Sequence, residues 1–198
     1  MNESILNTAN QEFITKNINT TITSLLLKEA KNMRFDIKAL IEQIEAKKRA
    51  EKKLPTWFST QNIYYPNKLN IEQTSSEATA LFKSKIVSGD CLIDLTGGFG
   101  VDCYYFSKRF KEVTHCEINS ELSKIVAHNY KVLQAKNINC IATDGIAYLK
   151  NKPTTYSAIY VDPSRRNESK GKVFMLSDCL PNIPEHLDLL FTKPILYL

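Results

Sequence analysis

The chain has 198 residues, 43% hydrophobic, 24% charged and 10% aromatic, proportions that exclude disordered, collagenous and fibrous classes. Lys and Arg number 26 against 21 Asp and Glu, a formal charge of +5 that admits a polyanionic partner without demanding one. No apolar run approaches the ~20 residues that cross a bilayer, and the start Met1-Asn2-Glu3-Ser4 lacks the basic and apolar regions of a secretory signal. The five cysteines are odd in number and have no metal-type C-x-x-C spacing. A reduced, cytoplasmic protein with no membrane association and no bound metal is expected.

The first glycine is Gly89, and a long glycine-free start with apolar residues three and four apart reads as helix. Ile22, Leu25, Leu26, Ala30 and Met33, then Ile37, Leu40, Ile41 and Ile44, mark amphipathic helix over 22–50, with a break expected near 34–36. Pro55 ends it. The basic cluster Lys47, Lys48, Arg49, Lys52 and Lys53 reads as a solvated helix face or a polyanion patch. Residues 55–70 carry Trp57, Tyr64, Tyr65 and Pro66 and form an aromatic connection, either a staple between segments or a base-stacking platform. Ser75 and Ser76 predict the N-cap of a helix running to about residue 85.

From Asp90 the pattern changes. Short apolar runs at 91–95, 113–116, 139–142, 158–161 and 195–198 alternate with helices at 101–110 and 120–134 and a helical turn at 146–149. Such alternation specifies an α/β fold with a parallel sheet. The expected organisation is a helical segment with its aromatic linker over 1–74 and a sheet domain over 75–198.

Ligands of such sheets bind beyond the carboxyl ends of the strands. The first strand ends Asp94-Leu95-Thr96-Gly97-Gly98-Phe99-Gly100, and the second ends at Glu117, 17 residues after Gly100, near the ~20-residue spacing of an acid that binds ribose hydroxyls. The third ends Thr143-Asp144-Gly145 and the fourth Asp162-Pro163. Gly98 and Gly100 match only the first two glycines of a dinucleotide G-x-G-x-x-G, because Cys103 stands where the third belongs. Asp94, Asp102, Glu117, Asp144 and Asp162 together repel a pyrophosphate and favour a cation. S-adenosylmethionine has a sulfonium, an ammonium, a ribose diol and no phosphate. Opposite charges ~4 Å apart attract by ~4 kcal/mol at an effective dielectric of 20, before desolvation.

Residues 90–163 resemble a class I S-adenosylmethionine-dependent methyltransferase, with glycine loop, ribose acid, adenine-side acid and fourth-strand motif in order. That resemblance implies a Rossmann-like parallel sheet in which Gly97, Gly98 and Gly100 pass under the cofactor and Asp94 faces its methionine ammonium. It further implies that Glu117 binds the ribose and Asp144 the adenine amino group, with Thr96, Ile118 and Gly145 completing the cofactor set. More narrowly, Asp94-Leu-Thr-Gly-Gly-Phe-Gly-Val-Asp102 with Asp162-Pro-Ser-Arg-Arg166 resembles the bacterial methyltransferases that carry a THUMP-like RNA-binding region. It is also similar to the ribosomal-RNA guanine-N2 methyltransferases. The THUMP-like region itself is not seen. Because the family sheet has seven strands and this sequence supplies five, the domain is expected to be C-terminally incomplete. A continuation of the same protein, or a second chain, would supply the rest.

By the same resemblance Asp162 and the carbonyl of Pro163 accept the hydrogens of an amine and aim its lone pair, a positioning effect. Amino-methyltransferases commonly have a second proline and an aromatic after that pair, where this sequence has Ser164 and Arg165. A guanidinium also stacks on a base, and Arg165 and Arg166 suit phosphates, so Ser164, Arg165 and Arg166 are the candidate substrate contacts. The expected activity is methylation of a nucleobase amine in structured RNA, rRNA or tRNA. Two alternatives stand beside it. One is a methyltransferase-like module that binds nucleic acid or a partner subunit without catalysis. The other is a pyrimidine-C5 methyltransferase using Cys179 as nucleophile, although no His or Lys neighbours that cysteine in sequence. His115 and His128 read as packing or surface residues.

Overall fold

The structure, a computed structural model, describes residues 1–29, 36–152, 155–167 and 171–192. It opens with α1 (Thr8–Lys16), α2 (Ile22–Glu29) and α3 (Ile37–Lys53). Asn7 and Asp36 cap α1 and α3 by accepting the N–H groups of Asn10 and Ala39, satisfying donors that a helix start leaves unpaired. α1 lies ahead of the stretch that the sequence marks as helical, and the break expected near 34–36 falls largely outside the described residues.

Pro55 follows the end of α3 and opens α4 (Pro55–Ser59), because a proline in the first turn forfeits no helix bond. With α5 (Lys68–Gln73), the 55–70 connection contains helix that the sequence reading did not anticipate. α6 (Glu77–Lys85) is capped by Ser76, as predicted.

The sheet region follows in order: β1 (Gly89–Asp94), α7 (Val101–Phe106), β2 (Phe110–Cys116), α8 (Ser120–Val132), β3 (Ile138–Ile141), α9 (Gly145–Asn151) and β4 (Ala158–Tyr160). Two antiparallel strands of two residues each, β5 (Arg166–Asn167) and β6 (Gly171–Lys172), and α10 (Leu187–Thr192) follow. α7 is shorter than predicted. The Asn137 amide donates to the carbonyls of Ser107 and Phe110, closing the helix and starting β2. The candidate strand at 195–198 lies outside the described residues.

Strand order is β3-β2-β1-β4, all parallel, with Leu92 opposite Val113 on one side and Ala158 on the other. The fold is α/β and Rossmann-like. Side chains alternate across a strand, and the two cores show it. Leu92, Val113, Ala158 and Tyr160 enter one cluster while Ile93, Cys116 and Ile159 enter the other. The first face is covered by α7, α8 and the chain from α3 to α5; the second by α9 and α10. A third cluster of Ile5, Ile14, Leu25, Leu40, Ile41 and Ile44 joins the N-terminal helices. α3 therefore serves two cores, since Ala46 and Ala50 pack with the sheet residues.

The aromatic connection is a staple. Trp57 is buried and meets Tyr104 edge-on at 5.0 Å, and the buried Tyr65 donates its hydroxyl to the Trp57 carbonyl. Two side-chain amides clamp the neighbouring backbone. Gln43 exchanges both hydrogen bonds with Tyr65, and Asn129 does the same with Tyr64. Buried as they are, Trp57 and Tyr65 offer no base-stacking platform. The basic cluster of α3 stays largely a solvated face, with Lys48, Arg49 and Lys52 exposed, although some of its members have partners. Lys53 donates to the Ile71 and Glu72 carbonyls, Arg49 pairs with Glu72 and Lys48 with Glu51. Among the described residues, no helix is long and apolar enough to cross a membrane.

Candidate active site

A cavity of about 950 Å³ opens at the carboxyl edge of the sheet. Its floor is the loop after β1. The Gly97 N–H donates to the Cys116 carbonyl at 2.8 Å, and the Gly98 N–H donates to Glu117 Oε2 at 3.0 Å. A Cβ on Gly97 would enter the imidazole of His115. Gly100 has φ +80°, a left-handed conformation that suits glycine, and a Cβ there would strike the Tyr130 hydroxyl. That hydroxyl donates to the Gly100 carbonyl at 2.8 Å. Gly97 and Gly98 line the cavity; Gly100 does not, and instead opens α7 against Tyr130.

His115 is a packing residue, the first of the two readings its sequence allowed. It is fully buried, its Nε2 lies 3.3 Å from the Gly98 carbonyl, and burial pushes its pKa down to about 4. The imidazole is therefore neutral and braces the loop from below.

Asp94 ends β1 with 1% exposure. Its Oδ1 accepts the N–H and O–H of Thr96 at 2.9 and 3.3 Å, and its Oδ2 accepts the Cys103 thiol at 3.2 Å. Burial raises its pKa to about 7, against the lowering effect of the Thr96 and Cys103 bonds. Thr96 Oγ1 in turn accepts the N–H of Asp162 at 2.7 Å. Glu117 is held by two backbone donors, Gly98 on Oε2 and Asn119 on Oε1, and burial raises its pKa. Beside it Ile118 stands 72% exposed on the cavity wall. Asp144 caps α9 by accepting the Ala147 N–H at 2.9 Å, and it lines the cavity with Gly145.

The acid set is less uniformly anionic than its sequence reads. Asp102 accepts from Ser75 Oγ at 2.8 Å and pairs with Lys83 Nζ at 3.1 Å, so it adds no unpaired charge. Lys83, carried by α6, also donates to the Tyr160 hydroxyl at 2.6 Å and lies 4.0 Å from Asp162 Oδ2. Burial, then the charges of Asp102, Asp94 and Asp162, drive the Tyr160 pKa far up, so that phenol stays protonated. The Asp162 side chain is 65% exposed.

Pro163, Ser164 and Arg165 continue along the cavity. Ser164 exchanges backbone hydrogen bonds with Leu180 at 2.8 and 3.2 Å, and the Arg165 carbonyl accepts from Val173 N–H, which anchors the segment while leaving Arg165 exposed. Arg166 lies in β5, and its side chain is outside the described part of the structure. Cys179 is buried, donates its thiol to the Met175 carbonyl and does not line the cavity. The carbon-methylation route therefore has no nucleophile at the site from this residue.

No protein-family model matches the chain. Over 164 residues it is 29% identical to an uncharacterized RNA methyltransferase of Mycoplasma mobile, a match covering 80% of this chain and 45% of that protein. Among solved structures, a candidate methyltransferase from Porphyromonas gingivalis W83 superposes with a TM-score of 0.78 at 28% identity, covering 97% of this chain and 47% of that one. The chain thus spans about half the length of these relatives.

Proposed function

We propose that the chain is an S-adenosylmethionine-dependent methyltransferase whose acceptor is a nucleobase amine in structured RNA, rRNA or tRNA. The observation that carries the proposal is the Glu117 carboxylate, fixed by the Gly98 and Asn119 amides beside the exposed Ile118, in one cavity with Asp162-Pro163. The likeness to an RNA methyltransferase of Mycoplasma mobile supports the substrate class.

The residues fit the cofactor. A carboxylate has about four lone-pair sites; backbone amides occupy two on Glu117, leaving two for a ribose diol. An isoleucine held in water against a cavity wall is a ready apolar surface for adenine, and the cavity volume is that of a small-molecule site. Thr96, Gly97 and Gly98 would pass beneath the bound molecule, and Asp94, Asp144 and Gly145 would complete its surroundings. When bound, S-adenosylmethionine supplies an electrophilic methyl group.

The chain's own part lies on the acceptor side. Asp162 and the Pro163 carbonyl accept the amine hydrogens and so aim the nitrogen lone pair, and Asp162 then takes up the proton that the nitrogen gives up. This is mainly orientation, whose contribution to rate is large when reacting atoms are held close. Arg165 offers a cation to a phosphate or a flat face to a base.

Incubating the intact protein with tritiated S-adenosylmethionine and total RNA from cells that lack it tests the proposal. Label should enter RNA and, after digestion, one base. Absence of label from RNA, with label entering protein or small molecules, would end the RNA reading.

A further inference from the structure

Four cavity-lining residues, Ser75, Asp102, Tyr160 and Asp162, converge on one ammonium from outside the strand tips. Lys83 Nζ lies 2.9 Å from Ser75 Oγ, 2.6 Å from the Tyr160 hydroxyl and 3.1 Å from Asp102 Oδ1. An ammonium has three N–H donors, and these three partners use them. Asp162 Oδ2, at 4.0 Å, lies within ion-pair reach but beyond a hydrogen bond. The ammonium is thus immobilised by three neighbours and acts on the fourth through charge. Asp162 needs such a guide. Its backbone is fixed through Thr96 Oγ1, but its side chain is 65% exposed, and no hydrogen bond from this cluster holds its carboxylate.

We propose that Lys83 is a positioning residue for Asp162, its locked ammonium biasing the carboxylate into the orientation that receives the acceptor amine. The inference rests on the methyltransferase reading above. A single fixed cation thus stands within ion-pair reach of two carboxylates, Asp102 and Asp162. Removing Lys83 alone would leave Asp102 unpaired, with a side chain only 13% exposed, and that could disturb the fold for a separate reason. Removing the pair together avoids this, since deleting both partners of a buried bond costs far less than deleting one.

The experiment compares wild type, Lys83→Arg, Lys83→Met and the double variant Lys83→Met/Asp102→Asn. It uses intact protein, S-adenosylhomocysteine calorimetry, thermal melts and single-turnover methyl transfer to total RNA from cells lacking the protein. The expected result is at least a tenfold loss of single-turnover rate in both Met-containing variants. Product affinity should stay within about threefold, and the RNA concentration for half-saturation should not change. Lys83→Arg, which keeps the charge, should restore most of the rate. A double variant that melts like wild type and transfers methyl as fast would overturn the inference, reducing Lys83 to a partner of Asp102. So would a double variant that loses product affinity and rate in parallel. If wild type itself transfers no methyl to RNA, the functional reading fails first and takes this inference with it.

Discussion

The backbone N–H of Asp162 donates to Thr96 Oγ1 at 2.7 Å, and the Thr96 hydroxyl donates to Asp94 Oδ1. One hydroxyl thereby ties the tip of β4 to the glycine loop and to the buried acid of β1. Replacing Thr96 by Val keeps the volume and removes the link. The hydrogen bonds lost are each worth about 1 kcal/mol net, so chemical denaturation should show a stability loss of that order. Methyl transfer should fall further than product affinity, because small displacements of an orienting group are costly in rate. Equal losses in both would mean that Thr96 serves the cofactor alone.

Asp94 makes stability depend on pH with a definite sign. Its folded pKa is about 7 against an ordinary value of 3.8, so between those values the native state holds a proton that the unfolded chain has released. The contribution of this carboxyl to stability is therefore greatest below about pH 4, declines as pH rises toward 7, and is level above that. The full excursion is up to about 4 kcal/mol. Asp94→Asn should flatten this slope and be the more stable protein at pH 8. Urea melts from pH 4 to 8 on both proteins check it, and parallel slopes would refute it.

Two glycines are expected to resist substitution for different reasons. Gly97→Ala must displace a buried imidazole, an overpacking cost of about 1–3 kcal/mol. Gly100→Ala meets the Tyr130 hydroxyl and also sits at φ +80°, where a Cβ costs roughly another 1–2 kcal/mol. Gly100→Ala should thus melt lower than Gly97→Ala. His115→Ala should rescue Gly97→Ala more than Gly100→Ala, since its ring faces the Gly97 Cβ directly and only touches Tyr130 edge-on.

The strand tips are legible in the sequence because a buried parallel strand is a short apolar run ended by turn residues. Leu92-Ile93 before the glycines and Ala158-Ile159-Tyr160 before Asp162-Pro163 fit that description. Lys83 is not legible: between Phe82 and Ser84 it looks like any solvated helix lysine, and its role appears only when α6 packs beside α7. His115 is half legible. Strand alternation turns it inward, but only the parallel register that sets it opposite Asp94 brings its ring beneath Gly97. The two helices that begin within 55–70 are hidden for another reason. They are five and six residues long, too short to show a period, and are held by Trp57, Ile71 and the amide clamps rather than by intrinsic propensity.

Glu117 should decide cofactor affinity. Charge-assisted hydrogen bonds are worth roughly 1.5–3 kcal/mol, so Glu117→Ala should weaken S-adenosylhomocysteine binding by ~10–100-fold. The same change strips the Gly98 N–H of its acceptor and should lower the melting temperature as well. Glu117→Gln keeps an oxygen for one amide, so it should recover more stability than affinity. Calorimetry and melts on the two variants separate the roles, and unchanged affinity in Glu117→Ala would remove this residue from the site.

Asp162 is the converse case. Its amide is anchored by Thr96 and its carboxylate is mostly exposed, so little of the fold depends on the side chain. Asp162→Ala should therefore melt within a degree or two of wild type and bind S-adenosylhomocysteine within a few-fold. If the carboxylate aims the acceptor amine and takes its proton, single-turnover transfer to RNA should drop by 10²-fold or more, the scale of a lost general base. Asp162→Asn retains one acceptor oxygen and the shape but no basicity. It should fall between the two if orientation dominates, and match Asp162→Ala if proton uptake dominates. Wild-type turnover in Asp162→Ala would assign the acceptor side of the reaction to another residue.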